Sequence, residues 1–547
     1  MKKKSLIILI VFLLIPITGF IYSNRDLYFE ISKNIDIFTR VYKEITFNYV
    51  DEINPEQFLR AGIRGMLNTL DPYTVFIDEK RKDDIDVITN GKYGGVGISI
   101  GIRDNNVTIM ELMDGYSAQR QGLRVGDIIY QVESTIISKD NFDDVSYLVK
   151  GEPGTSVNVK IIRGTSDSLT FNLIREEIIV KNIPFYGFYP ENSNNAYIKL
   201  NGFTRSAGDE FRKVLSELKK EKEVHSIILD LRGNPGGLLD VAVDISNKFI
   251  KKGELIVSTK GRDSNSVKHF YATQEPMFSD TKLIVLVNEG SASASEIVAG
   301  AIQDHDRGII LGTKTFGKGL VQTITPLSYN TSLKITTAKY FTPSGRCIQK
   351  IDYSQKNSVI SKYDTLLVNS FSTDNKRRVY SSGGIAPDSL VEEGNYSELL
   401  KDLMAKGLIF KFANDYFSKN QNLTYDQLTI GQLFTQFKDF LIKNDYQFIS
   451  PQEKKLNELL NSISNETRFS SLKSKLENFI PELKSEMYLS IDSNKKEISI
   501  FLHQEIASRY LGSEGRIKSF LDSDHQFQTA LKLFGNELAF NKILNKL

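Results

Sequence analysis

Apolar positions recur at helical spacing through the first part of the chain: Phe29, Ile35, Phe38, Val41 and Tyr42, then Phe58, Ile63 and Met66. This period predicts an N-terminal helical region over residues 25–90, broken by a turn at Leu70-Asp71-Pro72-Tyr73. From Gly91 the period falls to two, with Val96, Ile98, Ile100 and Ile102 alternating with Gly97, Ser99 and Gly101. Short helices are expected at Ser117–Leu123 and Phe142–Val149, and a further strand at Val157–Ile162. Residues 91–177 therefore predict a small, mostly β module. From Ala196 buried strands alternate with helices: strand Ser226–Leu231, helix Leu238–Ile250, strand Leu283–Val287, helix Ala294–Gln303, then strands at Ile309–Leu311, Leu320–Ile324 and Leu333–Thr337. Residues 178–390 thus predict an α/β core. After Asp388 strand signals fade. Leu456, Leu459, Leu460 and Ile463 share a helical face, as do Leu472, Leu476, Phe479, Ile480 and Leu483, so 391–547 reads as a helical C-terminal extension. The expected class is a multidomain α+β protein.

Composition narrows the chemistry. The 547 residues carry 69 Lys+Arg against 67 Asp+Glu, a balance that gives no bulk electrostatic case for nucleic-acid binding. The single cysteine, Cys347, excludes an internal disulfide and a cysteine-built zinc site. Five histidines form no metal-binding pair, so no metal and no cofactor is expected, and any catalysis must come from Ser, Lys, Asp, Glu or backbone groups. The N-terminus adds an address. Lys2, Lys3 and Lys4 precede an uncharged apolar run from Ser5 to Tyr22. A membrane span needs about 20 such residues and a signal-peptide core about 7–15. Residues 1–22 are read as a signal or membrane anchor. With the lysines kept in the cytoplasm, the body would lie outside it, in the cell envelope, anchored through this segment.

Three patterns could carry chemistry. In Gly290-Ser291-Ala292-Ser293-Ala294-Ser295-Glu296, small residues lie between a buried strand and a helix. A hydroxyl can be aimed outward there, close to the free N–H groups of the first helical turn. The bland alternative is a helix cap, with Glu296 three residues after Ser293 as in a capping box. In Thr315-Phe316-Gly317-Lys318-Gly319, the lysine leads into a strand. A lysine in a tight, partly dry site loses its proton more easily and can act as a base. Residues i and i+4 of a strand share a face, so Gln322 could orient the Lys318 amine. The alternatives are a solvated hairpin lysine and a phosphate loop, whose residue order is not met here. The turn Gly233-Asn234-Pro235-Gly236-Gly237 can present backbone N–H groups to an open space, as an oxyanion hole requires, or can be a plain strand-to-helix turn. His305 falls at the far end of the helix that begins near Ser293, about 18 Å away, which excludes it as a partner for that serine.

Taken together and in this order, these motifs resemble the carboxyl-terminal processing (tail-specific) serine proteases. Asp230-Leu231-Arg232 before the glycine turn, Tyr340–Arg346 and Gly383–Asp388 also look like that family, and the resemblance covers residues 25–390. It implies a Ser–Lys pair with Ser293 as nucleophile, Lys318 as base and Gln322 as third member. The implied oxyanion donors are a backbone N–H of Gly236 or Gly237 and that of Ala294. It also implies that the β module is a PDZ domain. Gly94, Gly95, Val96, Gly97 and Ile98 look like the loop that takes a peptide C-terminal carboxylate, with backbone N–H groups gripping the charge while the next strand pairs with the peptide. The expected partners are protein substrates with accessible C-terminal tails, and an oligomer is compatible with the sequence. The expected activity is that of a serine endopeptidase acting on tails of envelope or secreted proteins. The alternative is a PDZ scaffold that binds tails without cutting.

Overall fold

The computed structural model describes residues 27–79, 91–164, 167–263, 265–351, 353, 369–381, 383–394, 396–428, 430–463, 470–481 and 491–546. Helices α1 (27–48) and α2 (Pro55–Leu67) open the described chain. Asn54 caps α2 by accepting the Gln57 N–H at 3.1 Å, and Pro55 takes the first helical position, where its missing N–H costs nothing. Tyr42 of α1 stacks on Phe58 of α2. After the expected turn comes a short strand, β1 (Val75–Ile77), that periodicity did not announce; three residues are too few to show a period.

The β module comprises β2 (Lys92–Gly95), β3 (Ile98–Arg103), β4 (Asn106–Leu112), α3 (Ser117–Arg120), β5 (Ile128–Val132), β6 (Thr135–Ile136), α4 (Phe142–Val149), β7 (Ser156–Arg163), β8 (Asp167–Ile174) and β9 (Glu176–Ile179). Alternate residues of β7 (Val157, Val159, Ile161) are wholly buried with Val107, Ile109 and Val145, forming a core of its own. Strand β9 pairs with β2 and closes the module where it joins the next domain.

The α/β core runs through β10 (Phe185–Phe188), β11 (Asn195–Lys199), α5 (Ala207–Glu221), β12 (Ser226–Asp230), α6 (Leu239–Ser246), β13 (Leu255–Gly261), β14 (Lys268–Tyr271), β15 (Lys282–Val287), α7 (Ala294–Asp304), β16 (Ile309–Gly312), β17 (Leu320–Pro326), β18 (Ser332–Phe341), β19 (Ser370–Ser372), β20 (Arg378–Tyr380) and β21 (Ser389–Leu390). Its main sheet has the order β10-β11-β12-β15-β16-β21, with β11, β12, β15 and β16 parallel. Parallel strands are buried on both faces, and the two faces have different covers. Ile227, Leu229, Leu283 and Val285 pack against α5, α6 and α7. Ile228, Ile284, Leu286, Ile309 and Leu311 pack against Phe527, Ala530, Phe534 and Phe540 of the C-terminal extension. A second sheet places β18 between β1 and β13, with β17 also paired to β18. The N-terminal region thus supplies an edge strand to the core, with Val75 opposite Lys334.

The extension holds α8 (Glu398–Ala405), α9 (Leu408–Lys419), α10 (Ile430–Lys443), α11 (Pro451–Ile463), α12 (Ser470–Glu477), α13 (Lys495–Leu521), α14 (His525–Gly535) and α15 (Glu537–Ile543). Helices α8, α9, α10 and α13 bury Leu400, Phe412, Phe437, Ile498 and Leu502 among themselves.

The expectations of a membrane as a partner, and of an envelope location anchored by the N-terminal segment, need correction. Among the described residues no helix is long and apolar enough to cross a membrane. The longest described helix, α13, has 27 residues but is studded with charge (Lys495, Lys496, Glu497, Glu505, Arg509). Ser5–Tyr22, on which the anchor rested, lies outside the described residues.

Candidate active site

Strands β12 and β15 are parallel neighbours, with Asp230 opposite Leu286. Their carboxyl ends therefore emerge together, where open α/β sheets place their ligands. After β15 the chain runs through Asn288–Ser293 into α7; after β12 it runs through Leu231–Gly237. Hydrogen bonds tie this second segment to the first and to the start of α7: Ser291 Oγ donates to Leu231 O at 2.8 Å, Ala292 N to Asn234 O at 3.0 Å, Ser295 Oγ to Asn234 O at 2.9 Å, and Gly233 N to Asn288 Oδ1 at 2.8 Å. Ser291 and Ser295 are wholly buried and their hydroxyls are spent on this junction.

Ser293 differs from both. It has φ of 55°, a conformation that L side chains rarely adopt and that persists only when its surroundings enforce it. They do: its N–H donates to Glu296 Oε2 at 2.8 Å, and its carbonyl accepts from Tyr340 Oη at 3.1 Å. Its side chain is partly exposed, and its hydroxyl faces the Glu296 N–H in a capping box but makes no hydrogen bond to the glycine turn or to another side chain among the described residues. The Ala294 N–H, in the first turn of α7, likewise has no acceptor there.

The glycine turn lies against this serine. A Cβ on Gly236 would come within 2.6 Å of Ala292 O, 2.8 Å of Ala294 N and 2.9 Å of Ser293 Cβ, and its φ is +99°. Only glycine allows both the conformation and the approach. The Gly236 N–H is held within the turn, donating to Asn234 Oδ1 at 2.9 Å. The Gly237 N–H has no acceptor among the described residues.

Lys318 precedes β17. Its ammonium lies 4.5 Å from the centroid of the Tyr73 ring, so the stretch just before β1 covers it. Burial, helped by the nearby Lys334 charge and opposed by Glu296 and Asp71, lowers its pKa from 10.5 to about 8. Glu296 connects the lysine loop to the serine. Fully buried, it accepts from Thr315 Oγ1 at 2.6 Å and Gly317 N at 2.8 Å on one oxygen, and from Lys318 N at 2.9 Å and Ser293 N on the other. Burial pushes its pKa up, and these donated bonds work against that. The structure brings the backbones of Ser293 and Lys318 to one carboxylate; their side chains share no hydrogen bond. Gln322 does not meet Lys318 either. Lys318 lies two residues before the start of β17, so the alternation that would put i and i+4 on one face does not extend back to it. The Gln322 amide instead donates to Thr336 Oγ1 at 3.3 Å. His305 caps the far end of α7, between Asp374 and Leu255 O.

Sequence reasoning read Glu296 as a cap and missed its links to Thr315, Gly317 and Lys318. Tyr73, Lys334 and Tyr340 were also missed, since contacts across distant segments leave no local pattern.

In the β module, Gly94 and Gly95 end β2, Val96 and Gly97 form the bend and Ile98 begins β3. Gly97 has φ of +82°, and a Cβ there would meet Tyr116 Cβ at 2.5 Å. A cavity of about 40 Å³ lies between this bend and α4, with Val96, Ile98, Ile100 and Val149 in its wall. Among the described residues no group of three or more His, Cys, Asp or Glu could hold a metal ion.

A strained serine after a parallel strand, a glycine turn at its side and a half-buried lysine of lowered pKa make up the parts of a serine hydrolase. Residues 194–355 match the family described as "Peptidase family S41", 108–163 match "PDZ domain", 22–81 match "Activating protease CtpB N-terminal domain" and 399–534 match "Probable PDZ-protease, C-terminal helical domain". The chain is 36% identical over 333 residues to the carboxy-terminal-processing protease of Bartonella bacilliformis, covering 60% of this chain and 75% of that protein. It is 30% identical over 339 residues to the carboxy-terminal processing protease CtpB of Bacillus subtilis, covering 61% and 68%. A solved structure of the photosystem II D1 C-terminal processing protease is similar with a TM-score of 0.37 and 26% identity, over 65% of this chain and 92% of that one. The chain belongs to the tail-specific (S41) serine protease family, with an associated PDZ domain. It is a serine-type endopeptidase that recognises C-terminal tails of its substrates through that domain and cleaves by a Ser/Lys-type mechanism.

Proposed function

We propose that Ser293 is the nucleophile and Lys318 its general base, with the N–H groups of Gly237 and Ala294 as the oxyanion hole. Ser293 supports this best: three serines sit in five residues, and it alone of the three does not commit its hydroxyl to the glycine-turn segment. Lys318, neutral, takes the Ser293 proton as Oγ attacks the scissile carbonyl. The developing oxyanion is met by the two N–H donors, and Gly236 lets the turn come close enough. The Lys318 ammonium then protonates the leaving amine, and water hydrolyses the acyl-enzyme. An aromatic face attracts a cation but not a neutral amine, so loss of the proton also releases Lys318 from Tyr73 to reach Ser293. Gln322 would turn from Thr336 to steady the lysine once substrate is seated, as catalytic hydrogen bonds often tighten only in the complex.

We place the substrate's terminal carboxylate at the Gly94–Ile98 bend, with the tail pairing along β3. The domain limits follow as proposals: a helical region at 25–90, the PDZ domain at 91–177, the protease core at 178–390 and the extension at 391–547. The separate apolar cores of the PDZ domain, of α8–α10 with α13, and of the sheet support them.

The test is cleavage of a tailed protein and of a short fluorogenic peptide by the wild type, Ser293→Ala and Lys318→Ala. Both variants should be inactive with unchanged thermal unfolding. Retained activity in Ser293→Ala with loss in Ser291→Ala or Ser295→Ala would move the nucleophile.

A further inference from the structure

The C-terminal extension reaches back to the glycine turn through one side chain. Asp524 and Gln526, at the start of α14, hold the Arg232 guanidinium: Nη2 donates to Asp524 Oδ2 at 2.6 Å, and Nη1 to Asp524 Oδ1 and Gln526 Oε1 at 3.0 Å each. The same guanidinium grips Asp230, with Nη2 donating to Oδ2 at 2.5 Å and Nε to Oδ1 at 3.0 Å. Asp230 is further bonded by Tyr197 Oη at 2.7 Å and Lys199 Nζ at 3.2 Å. Side-chain exposure is 2% for Asp230, 4% for Asp524 and 15% for Arg232, so solvent screens this cluster little.

The place of Arg232 in the chain gives the cluster its consequence. The residue before it, Leu231, accepts the Ser291 hydroxyl, and the residue two after it, Asn234, accepts Ala292 N and the Ser295 hydroxyl. The Arg232 carbonyl is held by Lys199 Nζ at 2.5 Å. Gly233 shares the Asn288 Oδ1 acceptor with Gly290, and a Cβ on Gly290 would meet Gly233 Cα at 2.8 Å. Arg232 therefore sits in the middle of the segment that registers the turn against the serine loop, and its side chain is the handle by which a distant domain holds that segment.

We propose that Asp524 is a positioning residue for peptide cleavage, acting through Arg232 to fix the distance between the Gly237 N–H and Ser293. The extension then completes the active site from behind as well as covering the sheet. An oxyanion donor acts only within hydrogen-bond range of the developing charge, and a displacement of about 1 Å can cost about a hundredfold in rate. The inference rests on the oxyanion hole proposed above.

Asp524 also caps α14, accepting Gln526 N and Phe527 N at 3.0 Å each. The test must separate the cap from the handle. Asp524→Ser keeps a capping oxygen but cannot reach as a bidentate carboxylate; Asp524→Glu keeps the charge. The full-length chain is measured on a short fluorogenic peptide that bypasses the PDZ domain. A peptide boronate serves as a mimic of the tetrahedral intermediate. For Asp524→Ser we expect kcat to fall about tenfold to a hundredfold with KM within about twofold. Boronate affinity should fall in parallel, the melting temperature should stay near that of the wild type, and Asp524→Glu should recover part of kcat. Wild-type kcat and boronate affinity in Asp524→Ser would overturn the proposal. So would a loss of kcat that tracks the melting temperature, with no change in boronate affinity relative to substrate, because that marks a structural role alone. A wild-type enzyme that neither cleaves the peptide nor binds the boronate would instead overturn the oxyanion-hole assignment beneath it.

Discussion

The Glu296 carboxylate and the Lys318 backbone N–H lie 2.9 Å apart, and the same carboxylate oxygen accepts the Ser293 N–H. The candidate base and nucleophile are thus spaced by a buried side chain that need not touch substrate. Glu296→Gln keeps the shape but presents an NH₂ group to backbone donors. At least one buried donor then goes unpaired, at about 1–3 kcal/mol. Chemical denaturation should show that loss, and peptide cleavage should fall with it.

Ser291→Ala and Ser295→Ala should behave unlike Ser293→Ala. Each removes a hydrogen bond between the serine loop and the glycine turn, worth about 1 kcal/mol of stability, while leaving a measurable rate. Ser293→Ala should lose several orders of magnitude in kcat with little change in melting temperature. Steady-state kinetics and thermal unfolding of the three variants separate the roles.

The Lys318 pKa of about 8 sets the pH profile. Below it the lysine is mostly charged and cannot accept a proton, so kcat/KM should fall about tenfold per pH unit toward acid and level off above it. Lys334 is the nearby positive charge that helps to depress this pKa. Lys334→Gln removes that repulsion and should move the inflection to higher pH, leaving the plateau in place. A flat profile from pH 6 to 9 would count against Lys318 as base.

Gly236→Ala should abolish cleavage. The added methyl would collide with Ala292 O and Ala294 N on a backbone at φ +99°, pushing the turn off the serine. A fall of about a hundredfold or more in kcat is expected, with binding of a tailed substrate to the PDZ domain unchanged by calorimetry.

Tail reading is tested from the substrate side. Amidating the terminal carboxylate removes the charge that the Gly94–Ile98 bend is proposed to grip. kcat/KM should drop for a tailed protein and stay constant for a short peptide placed directly at Ser293. Gly97→Val, whose side chain would strike Tyr116, should mimic amidation. Equal cleavage of free-acid and amidated tails would assign the bend another role.

Legibility in the sequence followed the range of the interactions. Strands β12 and β15 and the helix after Ser293 were readable because burial and the glycine turns are local signals. The serine, lysine and glycine-turn motifs were readable as candidates for the same reason. Strand β1 was not, being only three residues long and defined by its pairing with β18. The expected Lys318–Gln322 alignment assumed that the strand already runs at Lys318, and β17 begins only at Leu320. The helical period of the extension was plain, but its use was hidden: Phe527 and Phe534 look like any amphipathic face until the bare side of the parallel sheet is seen to need them. Asp524 caps α14, and its second partner lies 292 positions away, beyond any local pattern.

That separation also has a meaning in time. A chain emerges from the ribosome at about 5–20 residues per second. Arg232 therefore precedes Asp524 by 292 residues, an interval of about 15–60 s. Throughout it Arg232 has no Asp524 to grip, and one side of the parallel sheet lacks its helices. Ser293 and Lys318 are by then already present on the nascent molecule. If Asp524 positions the turn as proposed, synthesis itself imposes a delay: cutting ability arrives with the last helices rather than with Ser293 and Lys318, and an unfinished copy is poorly equipped to digest its neighbours.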